Sequence, residues 1–117
     1  MHSKTSSYES GLFAEFRARM FLRMRGFKIL KSRYTTGKYT NRAEIDIIAR
    51  RGNLIIFVEV KKRKCVETAL EAVTPAQIGR LRASAETFLI QNKWMGDARF
   101  DIIAICGCKI HWVKNAI

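Results

Sequence analysis

Apolar residues along the chain change their rhythm several times, and each change marks an element. Leu12, Phe13, Phe16, Met20 and Met24 recur at helical spacing, which predicts a first helix with an apolar face. Ser6-Ser7-Tyr8-Glu9 has the form of a capping box at its start, and Gly26 supplies a C-terminal stop. Residues 1–5 read as a loose tail. Phe27 to Tyr34 is expected as a first strand, and the polar stretch Thr35 to Arg42 as a loop. Ala43 to Arg50 and Leu54 to Lys61 are rich in branched apolar residues. Gly52-Asn53 between them suits a two-residue turn with glycine first. After a basic connection, Thr74-Pro75-Ala76-Gln77 signals a second helix, with threonine as cap, proline at the first helical position and glutamine completing the box. Ile78, Leu81, Ala85, Phe88 and Leu89 supply its apolar stripe. Phe100 to Cys106 and Lys109 to Val113 close the chain as strands. The order α-β-β-β-α-β-β predicts an α/β fold: a mixed central β-sheet flanked by helices.

The chain has 117 residues, enough for one domain spanning 1–117 and too few for two. Charge changes the picture most. Lys and Arg number 22 against 10 Asp and Glu, a net charge of +12. That excess makes a positive field that attracts polyanions and points to a nucleic-acid partner rather than to a merely solvated surface. No run approaches the roughly 18 to 20 apolar residues of a membrane helix, and the N-terminus lacks the apolar core of a signal peptide. A cytoplasmic protein without membrane partners is expected. The three cysteines, Cys65, Cys106 and Cys108, fit no disulfide framework or zinc pattern. Cys106 and Cys108, two apart in an expected strand, read as small core residues on one face.

The candidate chemistry lies on the central hairpin. Glu59 and Lys61 share a strand face. A turn at Gly52-Asn53 pairs Arg51 with Leu54, and the same register sets Asp46 opposite Glu59 and Glu44 opposite Lys61. Facing carboxylates in an apolar sheet repel, which a fold has little reason to keep unless a cation sits between them. Magnesium, or manganese in its place, suits such a site because it is often bound by one or two carboxylates plus waters and substrate phosphate. The ion would activate water and polarise a scissile phosphate, and Lys61 would stabilise the developing charge. The plainer reading is scattered strand charge, with Glu44–Lys61 an ordinary ion pair. Against it, both carboxylates interrupt strongly apolar runs.

The string AEIDIIARRGNLIIFVEVKKRK, with TPAQ and RFDIIAI downstream, resembles the YraN-type family of small bacterial proteins. The resemblance runs from Glu15 to about Ala116. It implies the restriction-endonuclease-like, PD-(D/E)XK superfamily, near the Holliday-junction resolvases. On that resemblance Asp46 matches the superfamily aspartate and Glu59-Val60-Lys61 its E-x-K. Glu15 matches an acidic residue that resolvase-like members bring to the metal, and Gln77 a position near the active site. The catalytic set implied is Asp46, Glu59, Lys61, Glu15 and Gln77, with Asp46, Glu59 and Glu15 on the metal. A capping role explains Gln77 equally well. Two departures stand out: Ala43 replaces the usual glycine, and the loop Gly37 to Asn41 is longer. The implied activity is metal-dependent cleavage of DNA, on branched or recombination intermediates, by a homodimer.

Lys62, Arg63 and Lys64, with Arg50, Arg51 and Arg80, are the expected nucleic-acid contacts. Tyr34 and Tyr39 are candidates for base stacking, and Asp101 reads as structural. The rival to an endonuclease is a non-catalytic nucleic-acid-binding module on the same fold; a scaffold that meets an acidic protein is a third reading.

Overall fold

A computed structural model describes residues 7–37 and 42–117. The elements are α1 (Ser7–Arg23), β1 (Lys28–Thr36), β2 (Ala43–Arg51), β3 (Leu54–Lys62), α2 (Val66–Glu71), α3 (Pro75–Gln91), β4 (Asp97–Cys106) and β5 (Lys109–Val113). The expected order holds with one addition. The basic connection after β3 contains the short helix α2, whose six residues carry too little periodicity to be read from sequence. The start of the anticipated capping box, Ser6, lies outside the described residues, as do Tyr39 and most of the loop around it.

The strands form one sheet in the order β1-β2-β3-β4-β5. Only β3 and β4 run parallel, joined through the two helices, while the other pairs are antiparallel. The sheet is therefore mixed, with β3 in its middle. Gly52 has φ +60° and Asn53 has no positive φ, the sign pattern of a type II′ turn. Arg51 pairs with Leu54 as the turn requires.

A core lies on each face. On one, Ala14, Ala18 and Leu22 of α1 meet Ile47, Ala49, Ile56, Val58, Ile103 and Ile105. On the other, Leu81, Ala85 and Phe88 of α3 meet Ile45, Ile48, Ile55 and Phe57. The α3 side follows its sequence pattern. The α1 side inverts it. Leu12, Phe13, Phe16, Met20 and Met24 are exposed, and two alanines and a leucine make the buried seam. Cys106 ends β4 and Cys108 is exposed in the β4–β5 turn, so the two do not share a strand face in the core.

One irregularity shapes the middle of the sheet. Ile45 and Ile48 pack on the α3 side although three residues apart, and Ile47 packs on the α1 side. Strict strand alternation therefore breaks beside Asp46. β2 stays paired to β1 as far as Ala43, but its pairing with β3 ends at Ile47–Val58. The two strands fork there.

Candidate metal centre and nucleic-acid surface

Asp46 stands at the fork. Its Oδ2 accepts a 2.8 Å hydrogen bond from the backbone amide of Val60. A continued ladder would pair Val60 with Ile45, so this carboxylate satisfies an amide that the departing strand leaves behind. The sequence reading placed Asp46 opposite Glu59 by register. Register holds for the five pairs from Arg51–Leu54 to Ile47–Val58 and stops one short of that pair. The two carboxylates still come together, through the fork rather than as ladder partners.

Glu59 is buried on β3, on the face shared with Phe57 and α3. Its Oε2 receives Gln77 Nε2 at 2.7 Å and lies 3.3 Å from Lys61 Nζ. Its Oε1 is buried and has no hydrogen-bond partner. Gln77 thus separates the two roles weighed for it. Thr74 Oγ1 caps α3 by accepting from the Gln77 amide, while the Gln77 side chain goes to Glu59 instead of back to the cap.

Electrostatics follow from burial. The Asp46 carboxyl is pushed up from 3.8 to about 8, first by desolvation and then by the neighbouring Glu59 charge, with the Val60 amide opposing. Burial also raises Glu59, against the pull of Lys61. At neutral pH the pair therefore tends to keep a proton that a cation would replace.

Glu15 lies on the α1 side and is buried, and its charge adds to the upward push on Asp46. Its oxygens are held by Arg33, at 2.9 Å from Nε and 3.2 Å from Nη2. Arg33 has φ 54°, left-handed backbone in a strand already irregular between Ile29 and Lys31. No feature of the sequence marked Arg33, because its role depends on a contact between distant elements. Among the described residues, no three carboxylate, histidine or cysteine side chains gather closely enough to hold an ion by themselves. The donor set present is Asp46 and the unpartnered Glu59 oxygen, which fits a hard cation completing its shell with water and phosphate. Glu15, engaged by Arg33, is not gathered with that donor set.

Two depressions lie near the pair, and the second of them is lined by both carboxylates. A groove of about 420 Å³ on the α1 side is lined by Ser10, Glu15, Lys61, Lys62 and Arg63. A cleft of about 190 Å³ on the α3 side is lined by Arg42, Glu44, Asp46, Glu59, Gln77 and Arg80. Arg80 thus borders the Asp46–Glu59 pair, Lys62 and Arg63 line the neighbouring groove beside Glu15 and Lys61, and Lys64 follows in an adjoining exposed depression. Glu44 lines the cleft and pairs in the sheet with Thr35; the ion pair of Lys61 is with Glu59. Arg50 and Arg51 stand at the hairpin turn, roughly 13 to 17 Å from Asp46 by strand rise. There Arg50 covers Trp94 and bonds the Gly52 carbonyl, and Arg51 covers Phe27 and bonds the Arg25 carbonyl. Tyr34 packs edge-on against Phe88. Asp101, fully buried, accepts from Arg99, Trp112 and the Asn115 amide, which is the structural role expected of it.

Together these features define an α/β domain with a mixed five-stranded sheet and a buried carboxylate pair at a strand fork, under a basic rim. The model of the uncharacterised protein family UPF0102 matches residues 14–105. A UPF0102 protein of Shewanella woodyi is 41% identical over 112 residues, covering 92% of this chain and 91% of its own. One of Bartonella tribocorum is 40% identical over 114 residues, covering 96% and 83%. One of Paramagnetospirillum magneticum is 36% identical over 97 residues, covering 81% and 75%. The chain belongs to the UPF0102 family, in keeping with the YraN-type resemblance of its sequence. No helix among the described residues is long and apolar enough to cross a membrane.

Proposed function

We propose that this protein is a magnesium- or manganese-dependent endonuclease of the restriction-endonuclease-like superfamily, acting on DNA in the cytoplasm. The observation that carries this reading is the Glu59 oxygen that is buried without a donor beside an Asp46 carboxyl pushed up to about 8. An unsatisfied buried acceptor costs about 1–3 kcal/mol, and ionising both crowded carboxylates, rather than leaving the pair its proton, adds repulsion. A divalent cation relieves both costs. When bound by Asp46 and Glu59, it supplies Lewis acidity toward a scissile phosphate.

The chain's own groups do the rest. Gln77 and Lys61 both engage Glu59 Oε2, which leaves Oε1 for the ion. Lys61 is held where its ammonium can meet charge developing on phosphate. The Val60 amide fixes Asp46. Arg80 borders the cleft that holds the pair, and Lys62, Arg63 and Lys64 extend the basic surface from Lys61 along the neighbouring groove, a path for the nucleic-acid backbone, branched or recombination intermediates included. Arg50 and Arg51 would contribute only where a duplex reaches the far end of the sheet.

The test is cleavage of linear and four-way-junction DNA with magnesium or manganese, by wild type and Asp46→Asn. Cleavage by wild type alone, with DNA binding retained or tightened in the variant, is the expected result. Metal-independent binding without cleavage by either would replace the enzyme with the non-catalytic binding module.

A further inference from the structure

Helix α1 carries its heavier apolar load on the wrong side for a lone chain. Ala14, Ala18 and Leu22 face the sheet. Leu12, Phe13, Phe16, Met20 and Met24 lie roughly 180° around the helix. Phe13 is 60% exposed, Phe16 48% and Met24 80%. The Phe13 and Phe16 rings stack at 6.5 Å, Arg17 lies over the Phe13 ring, and Arg23 donates to Met20 Sδ. Contiguous apolar patches of this kind on a soluble chain mark interaction surfaces.

We propose that α1 packs antiparallel against α1 of a second copy, with the two-fold axis at Phe16. Charge argues for that occupant and that direction. The exposed arc bears Glu9 in the first helical turn and Arg23 in the last. Antiparallel packing centred on residue 16 sets Glu9 against Arg23 of the other copy. The same operation sets Leu12 against Met20, Phe13 against Arg19 in cation–π geometry, and Phe16 against itself. Parallel packing would instead bring Glu9 to Glu9 and Arg23 to Arg23. With about 200 Å² for a whole side chain of this size, the two stripes bury on the order of 1,000 Å², near the lower limit of a specific interface. An interface of that size suits a weak, concentration-dependent dimer. The inference is independent of the chemistry assigned to the carboxylates.

Sedimentation velocity from low to several hundred micromolar tests it on wild type, F16E, E9R, R23E and the double reversal E9R/R23E. Wild type should show a reversible monomer–dimer equilibrium, and F16E should stay monomeric with an unchanged circular dichroism spectrum. Either single reversal should weaken the dimer roughly tenfold, because symmetry removes two ion pairs at once. The double reversal should restore affinity to within a few-fold of wild type. In a background with the three cysteines replaced by serine, F16C should form a disulfide-linked dimer on oxidation. A wild type that is monomeric throughout overturns the proposal and leaves the stripe to another partner, such as an acidic protein or unpaired bases. A dimer that survives F16E, or a double reversal that fails to restore association, overturns the α1 interface or its direction.

Discussion

The amide of Val60 donates to the carboxylate of Asp46 at 2.8 Å, where an unbroken ladder would have offered it the carbonyl of Ile45. One bond therefore closes the fork between β2 and β3 and fixes a candidate metal ligand. Because the acceptor is a titratable group, the strand junction and the site share a dependence on pH.

Asp46 carries the clearest consequence. Its folded-state value of about 8 lies above the ordinary 3.8, so between those limits the folded chain binds more protons than the unfolded one. Stability of the metal-free protein from this group is greatest below about pH 4 and is lost as pH rises to about 8. Asp46→Asn removes the dependence. Denaturant melts at pH 5 and pH 8 should show the variant gaining on wild type at the higher pH. An unchanged difference would mean that Asp46 ionises freely in the fold.

Magnesium should reverse that trend. Binding must displace the proton held by the pair, so affinity should rise with pH up to about 8 and then level. The ion should also raise the melting temperature of wild type more at pH 8 than at pH 6, since it stabilises only the fold that binds it. Calorimetric titration in buffers of different ionisation enthalpy reads the released proton directly.

Gln77 acts through Glu59. Gln77→Ala removes the 2.7 Å bond, should cost about 1 kcal/mol of stability, and should lower metal-dependent cleavage about 10- to 100-fold. Gln77→Glu adds a third carboxylate to the cluster and should be worse near neutral pH than at pH 5. Parallel melts and cleavage assays separate the two effects.

How far these residues were legible in sequence depended on whether the signal was local. The hairpin register came from Gly52-Asn53, and the α3 start from Thr74-Pro75, since each rests on backbone chemistry within four residues. Asp46 and Glu59 were legible as carboxylates inside apolar runs. The fork was not, because a ladder that opens leaves both strand sequences equally apolar. Arg33 was invisible for the same reason that Gln77 was ambiguous: partner choice between distant elements has no period. The first helix misled because its outward stripe has the larger side chains, and periodicity reports a face without saying which way it turns.

The basic rim can be tested by position. Lys62, Arg63 and Lys64 follow Lys61 at the site end of β3, whereas Arg50 and Arg51 sit at the hairpin. Each phosphate contact contributes about 0.9 to the slope of log affinity against log salt. Replacing the first three with alanine should flatten the slope for short DNA by about two to three. The Arg50→Ala, Arg51→Ala variant should change it by less than one. Equal effects would place the DNA path along the whole sheet.

Two methyl groups govern clearance over the sheet. Ala14 and Ala18 are the small residues with which α1 meets β2 and β3, so the helix rides closer than a leucine-faced one would. Glu15 follows Ala14 on the same helix, and the low ride helps to bring its charge within reach of Asp46. The alanine seam therefore works as a spacer of fixed thickness. Thickening it with Ala18→Leu would lift the helix and part Glu15 from the fork, even where the fold survives the overpacking.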